Sequence, residues 1–91
     1  MIASADTRQM ALELGPLGIR TNAVAPGMVV TDLNCDMLAA PDATEAALAR
    51  VPLGRFAVAD DIAEAVRYLA SDRARSVNGA TLRVDGGRMV S

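Results

Sequence analysis

Side chains that could carry out acid–base, covalent or metal chemistry are scarce in this sequence. All nine basic residues among the 91 are arginines, and the sequence contains neither lysine nor histidine. It therefore has no imidazole for general acid–base catalysis or metal binding, and no amine for a Schiff base. We predict no catalytic residue and no metal site within the chain.

The remaining reactive or charged residues have structural interpretations. Cys35 is the single cysteine, which excludes an intramolecular disulfide and fits a reducing, cytoplasmic compartment. Tyr68 lies on the helix with the strongest apolar stripe and is predicted to pack. Asp60 and Asp61 open a helix, where carboxylates favour the helix dipole. Arg55 is expected to form an exposed ion pair.

Composition limits the size of the domain and its partners. Nine basic against eleven acidic residues give a net charge of −2, which argues against nucleic acid or anionic lipid as a partner. No apolar run approaches the length of about 20 residues that crosses a membrane. The length suits one small domain, and with one Phe, one Tyr and no Trp its core should be shallow.

Hydrophobic periodicity and turn residues divide the chain into alternating elements. Helices are predicted over residues 4–14, 41–50 and 60–70, strands over residues 19–25 and 80–84, and an irregular segment over residues 26–40. This order is typical of an α/β layer architecture with parallel strands. Two short strands do not form a self-sufficient sheet, so the pattern indicates one end of a larger fold.

Individual residues are predicted to shape these elements. Gly15 should take the left-handed conformation that ends the first helix. Asp42 and Glu45 are predicted to form a capping box at the start of the second helix. Asn22 lies inside the first strand, where a polar side chain needs partners, so we predict a structural hydrogen bond.

Four segments, residues 12–27, 52–55, 60–72 and 78–87, occur in an order and at spacings that are typical of one protein family. Together they resemble the short-chain dehydrogenase/reductase family, particularly members similar to 3-oxoacyl-acyl-carrier-protein reductase. The resemblance implies a Rossmann-type doubly wound parallel sheet. Residues 1–91 would be a single partial domain, the C-terminal fragment of that fold, with two short strands and three helices.

The resemblance gives the loop after the first strand a role in binding NAD or NADP. It implies that Pro26 and Gly27 lie against the nicotinamide ring and that backbone groups of Val29 bind the carboxamide. It further implies that the Thr31 hydroxyl binds the carboxamide or the pyrophosphate. On the pattern alone, Pro26-Gly27 is a turn after a strand and Thr31 caps a helical turn. The sequence leaves both interpretations open.

Two parts of the family's active site have no counterpart in the sequence. One is the glycine-rich phosphate loop. The other is the family's Tyr followed four positions later by a Lys, a pair used for proton transfer. Aligned through the first helix, this Lys would fall one position before Met1, so we expect the chain to begin where the catalytic motif ends.

Two functional hypotheses follow. In the first, the chain is the C-terminal part of an NAD(P)-dependent oxidoreductase acting on a carbonyl or secondary alcohol. It would be inactive alone, with a weakly held cofactor or none, and would take a small-molecule substrate only when completed by an N-terminal half. In the second, it is a non-catalytic oligomerisation or interaction module, a truncated remnant. The family's subunit pairing implies a homo-oligomer. Whether the chain is itself an enzyme, which substrate it takes and whether it prefers NAD or NADP stay open.

Overall fold

The first part of the chain contains one helix and two short strands. The computed structural model describes residues 2–30 and 40–88. Helix α1 spans Ile2–Leu14, strand β1 spans Ala23–Pro26 and strand β2 spans Val29–Val30. The prediction that Gly15 is left-handed is wrong. Gly15 is the first residue of a 3-10 turn, Gly15–Leu17, and the left-handed residue is Gly18, with φ of 79°.

The second part of the chain contributes two helices and two strands. Helix α2 spans Pro41–Leu48, strand β3 spans Ala57–Val58, helix α3 spans Ala59–Ala70 and strand β4 spans Thr81–Val84. A 3-10 turn, Asp72–Ala74, follows α3. The three predicted helices and both predicted strands are therefore present, and the two-residue strands β2 and β3 are additional.

The two later helices begin in different ways. Helix α2 has Ala40 at its N-cap with no side-chain hydrogen bond, so the predicted Asp42 capping box is wrong. Pro41 at the first helical position has no N–H that would need such a partner. At the start of α3, a carboxylate oxygen of Asp61 accepts a hydrogen bond from the Val58 N–H at 2.9 Å. The acidic start of α3 is thus used to hold the helix end.

The strands form two separate parallel pairs. In the first, β1 pairs with β4, with Ala23 opposite Thr81 and Pro26 opposite Val84. In the second, β2 pairs with β3. Because β1 has only β4 as a neighbour among the described strands, its other edge is open.

Strand β1 starts later than predicted because the residues before it bond to a distant turn. The Thr21 N–H donates to Asn78 Oδ1 at 3.0 Å, and the Thr21 carbonyl accepts from the Gly79 N–H at 2.8 Å. The ladder to β4 begins only with the Ala23 N–H, which donates to the Ala80 carbonyl at 2.9 Å.

Little of the apolar surface is buried. Among the described residues, Ala11, Val51, Ala74 and Thr7 are the buried ones, and no large side chain is fully buried. The large apolar side chains left exposed are Met10, Leu12, Leu17, Ile19, Val30, Leu53, Val58, Val66, Tyr68 and Leu82. The radius of gyration of 15.6 Å exceeds the value of about 12 Å for a compact chain of this length. The expected shallow core is confirmed.

Candidate cofactor site

The candidate site lies at the carboxyl ends of β1 and β4. In open α/β sheets, ligands bind outside the carboxyl ends of parallel strands. Pro26 is the last residue of β1, and the Gly27 N–H extends the pairing by donating to the Val84 carbonyl at 3.2 Å. The loop after β1 and the turn after β4 therefore leave the sheet side by side.

Gly27 has no space for a side chain. A Cβ atom there would lie 2.8 Å from Asp85 Cβ and 3.0 Å from Asp85 Cα. Both distances are well below ordinary carbon–carbon contact of about 3.5–4.0 Å. Because Gly27 has no side chain, the loop after β1 can touch the turn after β4. This contact fixes the position of Gly27, from which the loop continues.

The turn after β4 is held by its own hydrogen bonds and by the segment before β3. Asp85 Oδ1 accepts from the Gly87 N–H at 2.9 Å. The carbonyl of Gly86, which has φ of 64°, accepts from the Leu53 N–H at 3.1 Å. A Cβ on Gly86 would lie 2.5 Å from Val51 Cγ1. Residues 51–53, the turn and Gly27 thus form one packed unit.

The structure locates three of the four predicted cofactor-binding residues. Pro26 is exposed, Gly27 is half-buried, and Val29 lies in β2 opposite Ala57. The parallel pairing of β2 with β3 fixes the backbone position of Val29, two residues after Gly27. Thr31, like Cys35, lies outside the described residues.

Two polar side chains tie β1 to distant parts of the chain. Asn22 Nδ2 donates to the Val77 carbonyl and Asn22 Oδ1 accepts from the Ala80 N–H, both at 2.9 Å, which confirms its predicted structural role. Asn78 Nδ2 donates to the Ala11 carbonyl at 3.3 Å. The two Asn22 bonds hold the residues before β4 against the residue before β1, and the Asn78 bond holds the same turn against α1.

Arg20 also ties two distant parts of the chain together, a role that its sequence context did not predict. Its guanidinium donates to the Leu69 carbonyl at 2.7 Å and to the Ser71 carbonyl at 3.2 Å. These carbonyls lie at the C-terminal end of α3, where the helix dipole favours a cation. Arg20 therefore connects the residues before β1 to the end of α3.

Two other predicted roles can be compared with the structure. Arg55 Nη1 lies 3.9 Å from Asp61 Oδ2, and 69% of the arginine side chain is exposed, so the exposed ion pair is confirmed. Tyr68 leaves 45% of its surface exposed, so its predicted packing is wrong for the chain alone.

Within residues 2–30 and 40–88, no three His, Cys, Asp or Glu residues could hold a metal ion. No helix in these ranges is long and apolar enough to cross a membrane.

Known proteins resemble most of the chain. A family model described as enoyl-(acyl carrier protein) reductase matches residues 3–89. L-rhamnose 1-dehydrogenase (NAD(P)(+)) from Azotobacter vinelandii is 51% identical over 81 residues, which are 89% of this chain and 32% of that protein. D-erythrulose reductase from Gallus gallus is 41% identical over 85 residues, 93% of this chain and 35% of that protein.

Solved structures share the same fold. The structure of 4-hydroxyisoleucine dehydrogenase complexed with NADH matches with a TM-score of 0.93 at 29% identity, covering 99% of this chain and 37% of that one. This chain spans about a third of the length of the curated relatives it matches.

Proposed function

Because the chain belongs to the short-chain dehydrogenase/reductase family, we propose that it is the C-terminal part of an NAD(P)-dependent oxidoreductase. The enzyme interconverts a carbonyl and a secondary alcohol. The contact between Gly27 and Asp85 carries the proposal, because it sets the loop after β1 at the sheet edge where ligands of such folds bind. When bound, the nicotinamide supplies or accepts the hydride.

The residues of the loop fit the nicotinamide end of this cofactor. Pro26 is exposed and its rigid ring suits contact with a planar aromatic ring, and Gly27 beside it carries no side chain. Val29 offers backbone groups to the carboxamide, and Thr31 offers a hydroxyl. The chain's contribution is to position the cofactor, and proton transfer falls to groups in the remaining two-thirds of the family fold.

The open edge of β1 supports a partner that supplies this remaining part. Beside β1 and α3 lies a groove of about 660 Å³, lined by Gly18, Ile19, Arg20, Asn22, Val24, Val66, Leu69 and Ala70. Val66 is 50% exposed and Ile19 is 48% exposed. We propose that a further parallel strand covers this groove, either in the same polypeptide or in an assembled partner, and that the complete protein works in the cytoplasm.

A second candidate function is a non-catalytic oligomerisation module. The open strand edge and the exposed apolar side chains favour it, because such surfaces promote association. In this case the groove would be covered by further copies of the chain.

The test combines the chain with the missing part of a relative. The 91-residue chain is expressed alone, with the N-terminal two-thirds of the Azotobacter vinelandii L-rhamnose 1-dehydrogenase, and fused to it. We expect millimolar or weaker NADH affinity and no turnover for the chain alone, since one or two hydrogen bonds of about 0.5–1.5 kcal/mol each hold the cofactor weakly. The fusion should bind NADH in the micromolar range and oxidise secondary alcohols.

A charge in the groove tests whether the groove is the assembly surface. Val66→Glu should block assembly with the N-terminal part, whereas Tyr68→Glu, on the opposite face of the same helix and outside the groove lining, should not. A discrete oligomer of the chain that ignores the N-terminal part, with a fusion that binds no cofactor, would refute the oxidoreductase proposal.

A further inference from the structure

A small cavity beside the candidate cofactor loop has two arginines in its lining. Its volume is about 240 Å³, and its lining comprises Met28, Ala46, Ala47, Arg50, Val51 and Arg88. Met28 directly follows Gly27, so the cavity adjoins the place proposed for the nicotinamide. Apart from the two arginines, the described lining is apolar and contains no carboxylate.

The backbones of both arginines are fixed by local hydrogen bonds. The Arg50 N–H donates to the Ala47 carbonyl at 3.2 Å, just after α2. The next residue, Val51, is only 6% exposed and anchors this segment. The Arg88 N–H donates to the Asp85 carbonyl at 3.2 Å, within the turn after β4. Two separate parts of the chain thus each contribute an arginine to the lining of one cavity.

We infer that this cavity binds the carboxylate of a small hydroxy or keto acid, which is the substrate. The inference rests on the proposed function, since the substrate must lie beside the nicotinamide. Guanidinium groups bind the two oxygens of a carboxylate through paired N–H donors. The volume lies below the range of about 300–1,000 Å³ for drug-sized ligands, which favours a compact acid. Arg50 and Arg88 also interact within the chain, so the acid joins or replaces these contacts.

The first test compares two probes that differ in one group. D-gluconate carries a carboxylate where D-glucitol carries a hydroxymethyl group. In nitrogen-15 NMR titrations of the 91-residue chain, gluconate should shift the amide signals of Met28, Val51 and Arg88 at concentrations about tenfold lower than glucitol. Arg50→Gln and Arg88→Gln should each weaken gluconate binding about tenfold, the effect of losing one charge-assisted hydrogen bond.

Two controls make this result specific. Arg75→Gln removes an exposed arginine outside the cavity lining and should leave gluconate binding unchanged. Inorganic phosphate should bind more weakly than gluconate. Equal responses to gluconate and glucitol, equal or stronger phosphate binding, no response of these amides, or full gluconate binding by the two arginine variants would each overturn the inference.

A second measurement uses the fusion described above and does not require the chain to fold alone. The ratio of kcat/KM for gluconate to that for glucitol should exceed about ten and should fall about tenfold with Arg50→Gln or Arg88→Gln. A fusion that oxidises both equally overturns this inference and leaves the proposed function standing. A fusion that binds no NADH overturns the proposed function, and the NMR titration then decides the inference.

Discussion

Replacing Gly27 by alanine tests the contact on which the candidate site depends. Gly27 is not among the glycines with positive φ, so alanine brings no backbone strain and would by itself stabilise by about 0.4–1 kcal/mol through the unfolded state. The new Cβ opposes this gain, because it would clash with Asp85, lying 2.8 Å from its Cβ and 3.0 Å from its Cα. Neither atom can move by a rotamer change, so the two loops must separate by several tenths of an ångström to about 1 Å.

The expected cost follows from these opposing terms. Overpacking of this kind costs about 1–3 kcal/mol, and the net loss for Gly27→Ala should be about 1–2 kcal/mol. The separation also lengthens the bond from the Gly27 N–H to the Val84 carbonyl, now 3.2 Å. Because this bond orients the loop, NADH binding by the fusion should weaken more than stability alone predicts, by about tenfold.

The assay is urea unfolding of the fusion together with an NADH titration. Gly54→Ala is the matched control, because Gly54 has φ of 75°, lies outside the groove lining, and a Cβ atom added there would meet no atom within 4 Å. It should cost about 1–2 kcal/mol through backbone strain and leave the NADH affinity unchanged. Gly27→Ala should cost less in an Asp85→Gly background than in the unchanged sequence, because the nearest clashing atom, Asp85 Cβ, is then absent. An unchanged or raised unfolding midpoint for Gly27→Ala, or identical NADH affinities for the two alanine variants, would refute the reasoning.

Three further predictions concern stability and association. Asn22→Ala removes two hydrogen bonds and should lower the unfolding free energy of the fusion by about 1–3 kcal/mol, and a loss below about 0.5 kcal/mol would contradict the role assigned to this side chain. Arg20→Gln should cost about 1–2 kcal/mol because two carbonyls at the end of α3 lose a charged donor, whereas the exposed Arg73→Gln should change stability by less than about 0.5 kcal/mol. Analytical ultracentrifugation of the 91-residue chain should show self-association at micromolar concentration, and a compact monomer that unfolds cooperatively would contradict this expectation.

Helix α3 illustrates what the sequence could predict. Its apolar stripe and the aspartates in its first turn predict bounds within one residue of Ala59–Ala70. The structural role of Asn22 was also predictable, because an amide in a segment that the sequence predicts as a strand needs hydrogen-bond partners. In both cases, the pattern that carries the prediction lies within a few residues along the chain.

The contacts that shape the candidate site were not predictable in the same way. Arg20 binds carbonyls 49 and 51 residues further along, and a carbonyl acceptor leaves no mark in the sequence. Gly27 meets Asp85 only because β1 and β4 are paired in register. Strands β2 and β3 have two residues each, too few for any periodicity.

The contacts that position the candidate site differ from those that would stabilise the fold. The candidate site is shaped by hydrogen bonds and by close approaches at Gly27 and Gly86, all of which join residues of this chain. The apolar side chains that would supply most of the folding free energy, such as Ile19 and Val66, remain about half exposed. Because hydrophobic burial is the dominant favourable term in folding, covering the groove beside β1 should stabilise the fold without rearranging the site. Groove variants should therefore weaken assembly, and Gly27 variants should weaken cofactor binding in protein that still assembles.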